Sequence, residues 1–356
     1  MAEFHTTHVG SLPRIPLVGR TLEEAKEEII RIQAGTGIDE VNDGEYGRSI
    51  YFGDITSLPG FTLSRFGYEF SAGDVYTTPL LSGRVLYDFS RPFAGAEVAF
   101  VKKTLDKLGA KRRVKVTVPS PSMIFFFYPD PGLPYLSPEA KAYYKALEDE
   151  VRRTYPTKEK FIEEITKILV NEAKSAFAAG ADTVQFDAPT LLVSASAGKE
   201  FLRFLVGIDN GAIDGVKGLG TVEVHGCFGN GWNTQSDTTT HYDRLLPELL
   251  ELHADVLGPF EVFDGLRDYD DLEFWKQHRG SIGKGVTPAL GLVSVKTRNV
   301  EPVEALRKRY RRARDAVGEV VAAPGCGFAS GTDESIQSVE SARRKLANLA
   351  AAVKEP

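Results

Sequence analysis

His225 and Cys227 stand two residues apart at the end of the apolar run GTVEVHGC. Alternate residues of a strand project to one side, so this imidazole and this thiol can grip one ion together. The only other cysteine, Cys326, ends a similar run, VVAAPGCGF. A carboxylate, Glu261, closes the strand-like segment between them. Cys, Cys, His and Glu make a tetrahedral zinc set with bonds of about 2.0 to 2.3 Å. Glu223 shares the strand face of His225 and is the second-ranked carboxylate, because it lies one residue pair deeper. Buried free cysteines are more often inert small hydrophobes. Two of them at strand ends, each beside glycine and phenylalanine, favour metal.

The charge of that set decides its chemistry. Two thiolates and a carboxylate outweigh a dication, so the site is a poor Lewis acid. Hydrolytic zinc sites rely on neutral histidines to acidify water. A thiolate-rich site instead binds an incoming thiol, lowers its pKa and leaves it nucleophilic. Alkyl transfer to sulfur is therefore expected rather than hydrolysis.

Such residues need a frame, and 356 residues suffice for one large barrel or two medium domains. The net charge of -6 argues against a nucleic-acid surface, and the basic run Arg307 to Arg314 reads as the solvated face of a helix. No apolar run reaches the roughly 18 to 20 residues that span a bilayer, and the N-terminus lacks a signal pattern. Two cysteines make no disulfide framework, so reduced thiols and a cytoplasmic location are expected.

Strand-like runs are expected at Thr6–Val9, Asp39–Asn42, Val114–Val118, Thr183–Phe186, Val222–His225, Val256–Val262, Leu290–Val295 and Val320–Ala323. Amphipathic helices lie between most of them, among them Leu22–Gln33, Lys158–Ala179, Arg244–His253, Val303–Val317 and Ser335–Val353. Gly35, Gly180 and Gly318 mark helix ends. Eight alternating units predict a single-domain (β/α)8 TIM barrel over residues 1–356, an α/β fold. No strand is followed by GxGxxG, which disfavours a doubly wound sheet. The rhythm breaks at about 57–98, where aromatics alternate with polar residues and turn signals fall at Ala72–Asp74 and Ser82–Gly83. An aromatic-rich hairpin insertion after the second strand is expected there. It and the patch Phe125–Tyr128 are either surface packing or a lid over the barrel mouth.

Catalytic groups of this fold sit at the carboxyl ends of its strands. Those positions hold Ser11, Glu45, Ser120, Asp187, His225 with Cys227, Glu261, Lys296 and Cys326.

The segments TTHVGSLPR, VNDGEYGRS, FDAP, HGC and PGCGF together resemble the catalytic barrel of the cobalamin-independent methionine synthase family. Its short relatives include epoxyalkane:coenzyme M transferase. The resemblance runs from Thr6 to the last helix and covers only the C-terminal of the two barrels of the full-length synthases. It implies that His225, Cys227, Glu261 and Cys326 hold zinc, with GPFEVFD about one residue different in length from the family's pattern around Glu261. It also implies that Ser11, Glu45 and Asp187 hold the amino-acid end of homocysteine, two carboxylates suiting an ammonium group. Lys296 replaces the histidine that protonates departing folate in the long members. It is either a proton donor with a pKa lowered by burial or a salt-bridge partner. Asp187 and Lys296 are thus the candidate catalytic groups.

These expectations describe a zinc-dependent S-methyltransferase or alkyltransferase, homocysteine being the favoured thiol. Methyl-folate is expected to be a poor donor, and a corrinoid, a corrinoid protein or a strained electrophile a better one. The alternatives are alkylation of coenzyme M by an epoxide, with Arg48, Arg65 or Arg91 for its sulfonate, and a zinc hydrolase or lyase on the same barrel. A non-catalytic thiol-binding protein would show zinc and tight thiol binding without turnover.

Overall fold

The computed structural model describes residues 4–69, 75–133, 136–193, 197–229, 241–263, 271–282, 285–331 and 335–354. Its elements in chain order are α1 (Leu22–Thr36), β1 (Glu40–Val41), α2 (Gly53–Thr56), β2 (Phe61–Glu69), β3 (Val75–Leu81), α3 (Phe93–Leu108) and β4 (Arg113–Pro119). There follow α4 (Pro121–Phe125), α5 (Pro138–Val151), α6 (Lys158–Ala178), β5 (Thr183–Asp187), α7 (Pro189–Val193), α8 (Lys199–Asp214) and β6 (Thr221–His225). The last are β7 (Val256–Glu261), α9 (Leu272–Gln277), β8 (Thr287–Val293), α10 (Val303–Val317), β9 (Val321–Pro324) and α11 (Val339–Val353).

One curled parallel sheet runs β1-β4-β5-β6-β7-β8-β9. Its strands are buried on both faces, against the helices on one side and against each other's side chains inside the curl. Residues such as Val116, Val184, Phe186, Val222 and Val224 belong to one continuous apolar core with the helices.

The ladder has seven strands, not the expected eight. Thr6–Val9 contributes a single parallel bridge, Thr6 to Ala322 on β9. Toward β1 the N–H groups of His5 and Thr6 donate to the Asp39 carboxylate at 3.0 and 2.9 Å. A side chain thus takes the donors that a ladder would have paired with β1 carbonyls, and the N-terminal segment occupies the seam between the two sheet edges.

Three helix expectations also change. Arg244–His253 is not an α-helix but two short 3-10 turns, Tyr242–Arg244 and Glu248–Glu251. Pro247 lies between them, with no N–H to give and a ring that crowds the preceding turn. At the end of α1 it is Gly37 that takes the left-handed conformation (φ 87°), while Gly35 stays within the helix. The last helix starts at Val339 rather than Ser335, capped by Ser338 with Ser341.

β2 and β3 pair antiparallel between β1 and β4 in the chain, from Phe61↔Leu81 to Glu69↔Val75. Phe66 packs on Tyr143 of α5, as does Arg65. The expected turn at Ala72–Asp74 lies outside the described residues. Phe125 and Phe126 pack against Phe204 and Phe201 of α8, and Phe127 lies under Phe52.

Candidate active site

Three successive strands end on a polar residue: Asp187 closes β5, His225 closes β6 and Glu261 closes β7. Cys227 follows His225 by two residues, Cys326 follows the end of β9, and Lys296 follows the end of β8. Register places Asp187 beside His225 on adjacent strands.

His225, Cys227 and Cys326 converge, with one ligand atom from each lying within 4.8 Å of the others. The Cys326 thiol donates to Cys227 Sγ at 3.3 Å. All three are buried. The hydrogen bond from Cys326 and the charge of His225 hold Cys227 well below the ordinary thiol range. The same bond, with burial, pushes Cys326 well above it. Burial opposes a charge on His225, but the Cys227 thiolate and Asp187 outweigh it and push the imidazole up to about 9. His225 Nδ1 lies 2.7 Å from the Pro259 carbonyl, which accepts its hydrogen. That bond leaves Nε2 for the sulfur side. A soft, anionic two-sulfur, one-nitrogen set with its imidazole fixed from behind fits zinc.

Glu261 stands beside this cluster but is engaged elsewhere. One oxygen accepts from the Phe228 N–H at 3.1 Å, and the other is ion-paired with Lys296. Burial alone would lower the Lys296 pKa, but Glu261, followed by the two sulfurs, more than reverses this, and of its two expected roles the ion pair with Glu261 is the contact seen. Glu223, the second-ranked carboxylate, lies deeper and is bound by Lys115 at 2.9 Å.

The expected substrate residues lie around the same strand ends. Ser11 is buried against the Cys326 loop: the Phe328 N–H donates to its carbonyl at 3.0 Å, and a Cβ on Gly327 would collide with its hydroxyl. Glu45 accepts from Thr117 Oγ1 at 2.7 Å, while its Oε2 is buried with no partner among the described residues. Asp187 accepts from Gln185. Burial above all, with Glu45 adding to it, pushes Asp187 up to about 7 against the pull of His225. By contrast, His8 turns outward to Gln33 of α1, its ring nitrogen 2.9 Å from the amide oxygen, and Ser120 caps α4.

Residues beyond those expected also line this region. Tyr51 carries a phenol raised well above its ordinary range by burial and by the charges of Cys227, Asp187, Cys326 and Glu45, and its hydroxyl lies 3.3 Å from Met123 Sδ. Thr117 is the other, and the alternation of R-V-K-V-T-V marks Lys115 and Thr117 as sharing one strand face. Arg48, a candidate sulfonate partner, is buried and held by Asp54 at 2.7 Å and Glu97 at 2.6 Å.

No family profile matches the chain. It is similar to the uncharacterized protein YxjH of Bacillus subtilis, 25% identical over 387 aligned positions that cover 98% of this chain and 93% of that protein. Its fold is shared with a B12-independent methionine synthase from Shewanella sp., solved in complex with selenomethionine. There the TM-score is 0.71 at 22% identity, over 99% of this chain and 97% of the other. A methyltransferase from Methanosarcina mazei matches with a TM-score of 0.56 at 14% identity, over 98% and 94% of the two chains. The architecture is thus that of methionine-synthase-like proteins, in agreement with the resemblance carried by the sequence motifs.

Proposed function

We propose that this protein is a zinc-dependent thiol alkyltransferase that methylates homocysteine to methionine. The observation that carries the reading is a metal-competent His225–Cys227–Cys326 cluster facing two buried carboxylates, Glu45 and Asp187, neither of which has a cation within hydrogen-bond reach among the described residues. Homocysteine presents a thiol and an ammonium a few bonds apart, which matches that pairing of sites. The Shewanella neighbour's selenomethionine has the same arrangement of charged groups and a chalcogen.

In this reading His225, Cys227 and Cys326 hold the zinc, and Glu261 is the carboxylate in reserve beside it. Zinc, when bound, keeps the acceptor sulfur deprotonated and nucleophilic near neutral pH. Glu45 and Asp187 take the ammonium group, and Ser11 with its neighbouring backbone takes the carboxylate. So oriented, the sulfur attacks the methyl carbon in line: the S–C bond forms while the donor's bond to that carbon breaks, its electron pair leaving with the donor. Lys296, held charged by Glu261, keeps a fixed positive charge beside the site.

Coenzyme M fits less well. It lacks an ammonium, and Arg48 is already committed to Asp54 and Glu97. A hydrolase or lyase would need a more acidic metal than two thiolates allow.

Calorimetric titration of homocysteine and coenzyme M into the zinc protein tests the reading. Homocysteine is expected to bind more tightly, and a preference for coenzyme M moves the epoxide-type reaction ahead. For the donor, methylcobalamin is expected to outperform methyltetrahydrofolate polyglutamate. Efficient turnover with the folate by this chain alone would show that expectation wrong.

A further inference from the structure

An ammonium site needs a carboxylate that is held still with one oxygen bare. Glu45 is held in an unusual way. It is the only non-glycine residue with positive φ among those described (59°), a conformation that costs a non-glycine residue about 1 kcal/mol or more. Its N–H donates to Asp43 Oδ1 at 2.9 Å, and Lys26 pins Asp43 at 2.7 Å. The backbone twist therefore aims the side chain, and the remaining question is what fixes the carboxylate itself.

We propose that Thr117, oriented by Arg48, is the positioning residue that sets specificity for the acceptor's ammonium group. The inference rests on the amino-acid-thiol reading above. A threonine hydroxyl has one hydrogen. Arg48 Nη1 donates to Thr117 Oγ1 at 2.8 Å and Nη2 donates to the Thr117 carbonyl at 2.9 Å, so the hydroxyl's own hydrogen is left for Glu45 Oε1, 2.7 Å away. Arg48 cannot turn to Glu45 directly, because Asp54 and Glu97 hold its other edge. It stays 4.0 Å from Glu45 Oε1.

Gly10 completes the clamp. A Cβ there would strike Glu45 Oε1 and lie 2.8 Å from Thr117 Cγ2. Its carbonyl is fixed by Asn42 Nδ2 at 3.1 Å. One carboxylate oxygen is thus bound and walled in, while Oε2 is buried without a partner. Without the Thr117 hydroxyl Oε1 loses its donor and neither oxygen keeps one, so the carboxylate is free to close the short gap to Arg48. The ammonium site would then be cancelled from within.

Zinc-loaded Thr117→Val, Thr117→Ser and wild type should be titrated with homocysteine and with 4-mercaptobutanoate, the same thiol acid without the ammonium. Thr117→Val is expected to weaken homocysteine by about 10- to 100-fold, the range of a hydrogen bond to a charged group. Its effect on 4-mercaptobutanoate should stay below about threefold, with zinc content unchanged, and Thr117→Ser should restore homocysteine binding. Equal weakening of both thiols, or none, overturns the proposal. If Thr117→Val does not fold, Arg48→Lys carries the test, since an ammonium cannot span both Thr117 oxygens, and the same selective loss is required. A wild type that binds both thiols equally well removes the amino-acid-thiol reading, and this inference with it. Retained wild-type discrimination with an indifferent Thr117→Val removes the inference alone.

Discussion

The curled sheet carries two buried polar layers, and they differ in what their charges face. At the floor, Lys115 binds Glu223 at 2.9 Å and Thr7 at 2.9 Å, and Thr7 donates to Glu40 at 2.7 Å. Arg113 reaches Glu40 as well, at 3.4 Å. Every carboxylate there has a cation beside it. At the mouth, Glu45 and Asp187 are just as buried, but their hydrogen bonds come from neutral donors, and Arg48 stays 4.0 Å from Glu45. Burial and residue type do not separate the layers. The contact does: the floor carboxylates are held in close ion pairs, whereas Arg48 and His225 act on those at the mouth without a hydrogen bond among the described residues, which leaves a place for a ligand's cation.

The largest expected effect breaks the mouth and spares the floor. Cys227→Ser and Cys326→Ser should each lose most of the bound zinc, at least about tenfold in affinity, while remaining folded. Metal analysis after dialysis reads this, and full occupancy in both variants would sink the site. The converse experiment breaks the floor. Lys115→Met leaves Glu223 buried beside an apolar side chain and is expected to cost about 3 to 5 kcal/mol of stability. Zinc content should not change. Adding Glu223→Leu should recover most of that loss, since removing both charges removes the imbalance. Urea unfolding of the single and double variants distinguishes this outcome from general disruption of the core.

The third test asks whether the mouth carboxylates are kept for binding. Glu45→Gln and Asp187→Asn should each weaken homocysteine by about 2 to 5 kcal/mol, tens- to thousands-fold, with zinc retained. Neither should lower stability as Lys115→Met does, because each removes a charge that has no hydrogen-bonded counter-ion among the described residues instead of stranding one. Unchanged preference for homocysteine over coenzyme M in both variants would return these residues to an ordinary structural role.

The contrast explains what could be read in advance. The His225–Cys227 spacing and the second thiol at Cys326 follow from strand periodicity, and the structure brings the three together. Partners set by distant chain segments were not legible. Lys296 reaches Glu261 across 35 residues, and Arg48 reaches Thr117 across 69. Nothing local announces either pair, so the sequence leaves Lys296 between two roles and does not single out Thr117. The N-terminal seam escaped for a similar reason, since Asp39 replaces a backbone ladder with a side chain. At Arg244–His253 the cue was present in Pro247, but the apolar periodicity around it outweighed a single residue.

Asp209 offers the smallest effect and an intermediate case. It lies on α8, accepts from the N–H and hydroxyl of Ser122 at 2.8 Å each, and like the mouth carboxylates has no cation. Unlike them it lacks a bare oxygen, so no ligand is needed to complete it. Burial is the main influence and pushes it up to about 7, against the pull of its Ser122 and Ser120 hydrogen bonds. The folded state therefore holds a proton that the unfolded state releases near pH 4. Between those two values the native form binds more protons, so stability from this group falls as pH rises. The fall should be about 1 to 3 kcal/mol between pH 4 and pH 7. Asp209→Asn, neutral throughout, should flatten the slope by that amount and should be at its best relative to wild type above pH 7. Urea midpoints measured for both proteins at unit steps from pH 4 to pH 8 decide it. Parallel curves would mean that Asp209 is ionised in the folded protein throughout, and that neutral donors alone satisfy a buried carboxylate as well as the cations of the barrel floor do.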